Sequence, residues 1–497
     1  MEHADVVVVG GRLAGCALAA PLARAGRKVI VIDKMTFPSD QLSTHLLMPA
    51  GVSELSKLGA LPRILALNPT KVHHVRASAE HAVCDERLRP AGDGTDFGLC
   101  VPRVDQDMCV VEAAREQGVD LRERCTFKSL TWRAGRVTGI VYTDSDGTEH
   151  EVAATLTVGA DGRRSNVAAA VGAWAPYRLS QNGRGLVFRY ADDPSPDSFG
   201  GDTFFALREG DSFGFTFPSS PAGKILILFM GHRDEASEAR KDPEGYWARK
   251  LAEHPRLSER LEGLDPSTYT KMRSTGETPA FFRASSGPGW ALAGDAAHFK
   301  DPVTGQGMRD AMWMGRTLAE QVLPALDDPT AVDLATRRWE ADRDRHCLPA
   351  YHFANMDTAV EVQTPIVCEL IRDGGRTMEP DLGDLFGRAR TLQEIAPLPR
   401  LAKNAVVAFV RGDRSRLENL RSTPRELRTQ LEIRRERYAD RFRESRLVWG
   451  SDHPGASWPE PPVVRARVRT PSAATSAAPH LTAVPAPTET IPQGVPA

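Results

Sequence analysis

From position 294 the chain reads Gly294-Asp295-Ala296-Ala297-His298, then Pro302, then Gly305-Gln306-Gly307, and the fold follows from what this stretch can do. It continues an apolar run, Trp290 to Ala293, that predicts a strand, and it opens a periodic segment from about Gln306 to Leu323 that predicts a long helix. The stretch is therefore a strand-loop-helix corner with one acid at the strand tip. Such a corner suits a polar ligand. Asp295 can accept hydrogen bonds from a polyol, and Ala296 and Ala297 leave room for close approach. Gly294, Gly305 and Gly307 let backbone amides face the ligand without a Cβ in the way. The helix N-terminus behind them, around Gly307 and Met308, puts partial positive charge where an electron-rich ring needs it.

Two further segments prepare the same kind of site. Asp5 to Asp33 reads as a βαβ unit: a strand at Val6 to Val9, a turn at Gly10, Gly11 and Gly15, a helix at Leu13 to Ala25 ended by Gly26, and a strand at Val29 to Ile32. Gly10 permits the tight turn and Gly15 lets helix and strand pack closely. Asp33 stands about 20 residues on, where an acid can bind the ribose hydroxyls of an adenosine. Gly10, Gly11, Arg12, Ala14, Gly15, Asp33 and Lys34 are the candidate cofactor contacts of this unit. Arg12 departs from GxGxxG, whose middle glycine admits a pyrophosphate; the arginine either points outward or adds a charged donor to the phosphate. The third segment, Gly159-Ala160-Asp161-Gly162-Arg163-Arg164-Ser165, again follows an apolar strand, Ala154 to Val158.

In this order the three segments resemble the cofactor motifs of FAD-dependent monooxygenases of the aromatic-hydroxylase type, the class A flavoproteins, with similarity to geranylgeranyl-reductase-like oxidoreductases. The resemblance covers roughly residues 4 to 325. It implies an α/β fold in which a Rossmann-like FAD-binding domain (1–71, 99–175 and 276–330) is interleaved with an antiparallel-sheet substrate domain (72–98 and 176–275). Asp161 then lies near the FAD and the path of NAD(P)H, Arg103 contacts FAD, and the loop around Pro302 lies beside the isoalloxazine. The implied cofactors are FAD and NADPH or NADH as electron donor, the latter bound transiently because there is one βαβ fingerprint. The implied reaction is oxygenation of a small aromatic or polyketide-like substrate by NAD(P)H and O2 through a flavin C4a-hydroperoxide, as in bacterial secondary metabolism and antibiotic biosynthesis. His298 is a candidate for proton transfer, with satisfaction of a backbone carbonyl as its alternative. His45, in Ser43-Thr44-His45, is a candidate to line the active site or the NAD(P)H route, with a loop hydrogen bond as its alternative.

Other readings share these motifs. An oxygen-independent reductase or dehydrogenase of the geranylgeranyl-reductase type uses the same cofactor, and a non-catalytic binding protein could retain the fold. Flavin halogenases share it too, but the chain has no WxWxIP segment.

Composition agrees with a multidomain globular enzyme: 497 residues, 41% hydrophobic and 26% charged, with a net charge of −2 that gives no electrostatic reason to expect nucleic acid or an anionic membrane. Seven cysteines without CxxC or paired metal-ligand spacing suit a reducing cytoplasm and predict no metal site. No basic leader and no membrane-spanning stretch is readable. Arginine outnumbers lysine, which points to a GC-rich bacterial genome. A cytoplasmic monomer or homodimer is expected. Short apolar runs at Gly185 to Tyr190, Thr203 to Leu207, Ser212 to Phe217 and Lys224 to Met230 predict an antiparallel sheet, and Val101 to Gly118 a helix starting near Arg103. Residues 331–450 read as helical, with a capping box at Thr423-Pro424-Arg425-Glu426 starting a charged helix through about Arg443. The tail, 451–497, contains ten prolines and is expected to be disordered.

Overall fold

The computed structural model describes residues 1–180, 183–198, 200–359, 362–377, 380–411, 416–438, 447, 449, 458–464 and 467–468. Four parallel strands of its first sheet, to which Asp120–Arg122 adds a fifth beside Val29–Ile32, position the site. Glu2–Val9 pairs with Val29–Ile32 on one side and with Glu149–Gly159 on the other, and Glu149–Gly159 pairs in turn with Trp290–Leu292. Val6 to Val9 and Val29 to Ile32 are buried on both faces, which explains why they read as continuous apolar runs rather than alternating ones. The register sets the position of the site: Val9 is opposite both Ile32 and Gly159, and Gly159 is opposite Leu292. Four strands thus end at one level, and Gly10, Asp33, Asp161 and Asp295 follow their four carboxyl ends. This is the edge at which open α/β sheets bind ligands.

The helix Leu13–Arg24 covers this sheet and packs against Gly307–Val322. Their approach is close because Gly315 has no side chain: a Cβ there would lie 2.3 Å from the Ala14 carbonyl oxygen. A meander, Thr126–Arg133, Arg136–Thr143 and Glu149–Gly159, extends the sheet with antiparallel pairing.

A second, seven-stranded sheet runs in the order 273–275, 184–192, 224–232, 212–218, 203–209, 74–79, 82–87. All pairings are antiparallel except Thr203–Glu209 with His74–Ala79. Helices cover both faces. Phe205, Ile227 and Phe229 pack under the short helices Pro243–Glu253 and Pro255–Arg260, whereas Phe204, Phe213, Phe215 and Leu228 face the C-terminal helices. These include Pro329–Thr358, Pro365–Thr377, Asp381–Gly387 and Leu398–Arg411.

Two expectations for the C-terminal region are corrected. Thr423-Pro424 does not start a helix; it lies inside Arg416–Tyr438. Proline removes one backbone hydrogen bond there, but Asn419, Glu426, Gln430 and Ile433 are buried at helical spacing, so tertiary packing carries the helix through. A capping box exists instead at Thr391, whose backbone N–H donates to the Glu394 carboxylate at 2.7 Å. The charged helix predicted to reach Arg443 is described only to Tyr438. The tail is also ordered in part: Val464 packs on the main core, and Arg467–Val468 adds a parallel strand beside Thr131 and Trp132. Composition alone suggested otherwise because prolines read as disorder, yet they also reduce the entropy lost on ordering. Residues 469–497 lie outside the described set.

Candidate active site

A cavity of about 650 Å³ lies along the four strand ends. Gly10, Arg12, Ala14, Asp33, Lys34, Arg103, Asp161, Asp295, Pro302, Gly305, Gly307 and Met308 line it. Of the remaining predicted cofactor residues, Gly11, Gly15 and Gly294 form its supporting layer. Gly10 has φ +110°, and a Cβ on it would sit 2.4 Å from the Ala160 carbonyl oxygen; a Cβ on Gly15 would sit 1.9 Å from the Gly10 carbonyl oxygen. Only glycine allows the first turn to pass between the neighbouring strand and its own helix.

Each acid at the edge has a distinct environment. Asp33 accepts the Gly11 N–H and the Met35 N–H, both at 2.8 Å, and so holds the turn and the following loop together. Asp161 accepts from the Ser165 hydroxyl at 2.5 Å and from the amide of Asn166 at 2.7 Å, capping the short helix that follows. Among the described residues Asp295 has no comparable local bond; burial raises its pKa, while Arg163, Lys300 and Arg103 oppose that shift. Arg12 neither points outward nor stands alone. It pairs with Asp107 and donates to the Ser39 hydroxyl at 2.7 Å. Arg103 grips the same Asp107 through Nε at 2.7 Å and Nη2 at 2.8 Å. One buried carboxylate thus holds two cavity-lining guanidinium groups.

The loop after Asp295 turns at Pro302–Thr304, where Asp301 accepts the Val303 N–H at 3.0 Å and Gly305 adopts φ +64°. The helix beginning at Gly307 has no side-chain cap, and a Cβ at Gly307 would meet nothing within 4 Å. Its first amides therefore border open space, with the dipole directed into the cavity. Beneath this turn Asp310, almost wholly buried, binds Lys300, Arg309 at 3.1 Å and Arg388 at 2.5 Å.

The two candidate histidines are placed behind the wall. His298 does not line the cavity; its Nδ1 meets the Phe281 carbonyl at 2.8 Å and its ring stacks on Phe282 with centroids 3.9 Å apart. Burial, followed by the nearby Lys300 and Arg343 charges, holds it far below its ordinary pKa and therefore neutral. His298, Asp310 and Cys347 have ligand atoms within 4.8 Å of one another, but the carboxylate is already neutralised by three cations. His45 adopts φ +61°, bonds Tyr190 Oη through Nδ1 and is pushed down to about 3 by burial and by Arg103. Its neighbours Ser43 and Thr44 line the cavity; its own ring packs edge-on against Phe188.

Sequence reading missed several participants. Asp107 was findable, since its i,i+4 spacing from Arg103 predicts a pair. Lys300 stood between the quoted His298 and Pro302. Gln306, which donates to the carbonyls of Leu385 at 3.0 Å and Phe386 at 3.1 Å, is legible only once the C-terminal helices are placed.

The residues present fit FAD: a Gly-only turn at a βαβ unit, acids at two further strand ends, and a free helix N-terminus, all in one elongated cavity. Comparison with known proteins agrees. The FAD binding domain family matches residues 3–328. The menaquinone reductase of Mycolicibacterium smegmatis is 28% identical over 344 residues, 64% of this chain and 76% of that protein. Squalene monooxygenase 1,2 of Brassica napus is 27% identical over 322 residues, 61% of this chain and 58% of that protein. In structure, the flavin-dependent brominase Bmp2 aligns with a TM-score of 0.66 at 19% identity, covering 83% of this chain and 100% of that one, a likeness of fold. The chain belongs to the FAD binding domain family and is a flavin-dependent oxidoreductase.

Proposed function

We propose that this enzyme is a monooxygenase that uses NAD(P)H and O2 to oxygenate a small, largely apolar aromatic substrate. One observation carries the reading: a second cavity, about 100 Å³ and lined by Phe213, Phe215, Phe353, Met356, Leu385 and Phe386 among others, adjoins the cofactor loop. A single turn divides the two spaces, with Pro302 in the wall of one and Val303 in the wall of the other. The sheet and the C-terminal helices thus offer a largely apolar chamber directly behind the turn that would face the flavin.

Bound FAD would supply the redox chemistry. Asp295 would hold its sugar-alcohol arm, Asp33 its ribose, and the amides at Gly307 and Met308 would stabilise negative charge on the ring. Arg12 and Arg103, fixed by Asp107, would meet the pyrophosphate. His298, neutral and bonded to a carbonyl, would orient the strand beneath the loop, and the buried pair of His45 and Tyr190 would brace the junction between cofactor domain and sheet.

Asp295→Ala removes a carboxylate acceptor that charged hydrogen bonding makes worth about 1.5–3 kcal/mol. FAD affinity, followed by flavin fluorescence titration, is therefore expected to fall about 10- to 100-fold. Asp295→Asn, which keeps an acceptor, should lie between.

The second reading, an oxygen-independent reductase, is favoured by the likeness to menaquinone reductase. Turnover under an oxygen electrode with NADH or NADPH separates them. Substrate-dependent oxygen uptake with a product heavier by one oxygen atom supports the monooxygenase; full turnover without oxygen, yielding a hydrogenated product, would reject it.

A further inference from the structure

The segment Trp458-Pro459-Glu460-Pro461-Pro462-Val463-Val464 lies outside the 3–328 region that the FAD binding domain family matches, yet Trp458 and Pro459 form part of the cofactor cavity wall. Its placement is specific. The Trp174 indole Nε1 donates to the Pro459 carbonyl at 2.8 Å, Val464 packs on the main core, and Arg467–Val468 pairs with the sheet edge. Trp458 itself completes an aromatic cage around Arg283, whose guanidinium lies 4.6 Å from the Trp174 and Phe281 ring centres and 5.0 Å from that of Trp458.

Arg283 gives this cage its significance. It is fully buried and binds three carbonyls: Trp174 at 2.9 Å, Ala296 at 3.1 Å and Arg163 at 3.0 Å. Two of these belong to cofactor motifs, the corner after Asp295 and the turn after Asp161. A guanidinium stacked on aromatic faces is stabilised most when desolvated, so the indole of Trp458 shields the cation that ties the two motifs together. Trp458 also presents a buried Nε1 with no partner among the described residues.

We propose that residues 458–464 are a strap that completes the FAD cavity, anchored by Trp458, which closes the wall and shields Arg283. The prolines serve this role: an extended, pre-set backbone loses little entropy on docking. The proposal rests on FAD binding by this cavity.

The test compares FAD uptake by the apoprotein of the full chain, of a chain ending at residue 457, of one ending at residue 468, and of Trp458→Ala. Affinity is read by flavin fluorescence and solvent access by iodide quenching of the bound flavin. The strap predicts that the 457 chain and Trp458→Ala bind FAD at least about tenfold more weakly, with greater iodide access, whereas the 468 chain matches the full one. If truncation at 457 impairs folding, Trp458→Ala decides, because that side chain is partly exposed and its apoprotein melting temperature reports the fold. Unchanged affinity and quenching in Trp458→Ala and the 457 chain overturn the strap while leaving the cofactor assignment intact. A full chain that takes up no FAD removes both.

Discussion

Asp310→Ala is expected to be the most damaging single substitution in the cofactor domain. The carboxylate is 1% exposed and neutralises Lys300, Arg309 and Arg388 together, the last reaching back from the end of helix Asp381–Gly387. Removing one partner of a buried ion pair leaves uncompensated charge and costs about 3–5 kcal/mol; here three cations lose the same partner. Thermal unfolding should show a large fall in melting temperature, and FAD retention should fall with it because Lys300 lines the cavity. A pH series adds a signature. The three cations hold the Asp310 pKa well below its usual value against the opposing effect of burial. A group depressed in the folded state contributes stability above its unfolded pKa, near 3.9, and that contribution disappears as pH falls through the folded value. The gap between wild type and Asp310→Ala should therefore be constant from neutral pH down to about 5 and narrow only below about 4. A gap that closes between pH 6 and 8 would contradict this account.

Gly15→Ala should abolish tight FAD binding while changing only one methyl group. The added Cβ would lie 1.9 Å from the Gly10 carbonyl oxygen and 3.1 Å from its carbonyl carbon, so backbone rather than a flexible side chain must yield. Gly10 has little room to retreat, because its Cα is packed so closely on the next strand that a Cβ there would lie 2.4 Å from the Ala160 carbonyl oxygen. Overpacking costs about 1–3 kcal/mol, and backbone-on-backbone contact places this case at the upper end. At 1.4 kcal/mol per decade, a turn displaced by that strain loses about 100-fold in affinity. Equilibrium dialysis against FAD measures it; retention within about threefold would show that the turn does not set the binding geometry.

The parts of this site that were legible in the sequence share a cause. Gly10, Asp33, Asp161 and Asp295 each follow an apolar strand, with Gly15 at a fixed spacing from Gly10 in the helix that comes next, and a strand end with a glycine or acid is a local pattern. Their assembly at one level was not legible, since the register of Val9 with Gly159 and of Gly159 with Leu292 depends on pairings of residues distant in sequence. Arg283 and Trp458 escaped for the same reason: a guanidinium that binds carbonyls and stacks on rings has no fixed spacing to its partners. In the tail, composition gave no sign that Trp458 to Val464 have a docking place, and apart from Arg467–Val468 the rest of 451–497 lies outside the described residues. The helix at Thr423-Pro424 misled because a capping pattern is weaker than the packing of Asn419, Gln430 and Ile433.

Gln306 has a consequence for changing what this enzyme accepts. It joins the loop before Gly307 to the carbonyls of Leu385 and Phe386, whose side chains line the apolar chamber. Mutagenesis libraries aimed at new substrates should find two kinds of position. At Met356, Leu370 and Ile371, which also line the chamber but do not bond Gln306, pocket volume can be altered without touching that bridge. At Leu385 and Phe386, selection for scope acts through Gln306 on the cofactor loop as well, so altered acceptance there should arrive with altered FAD affinity.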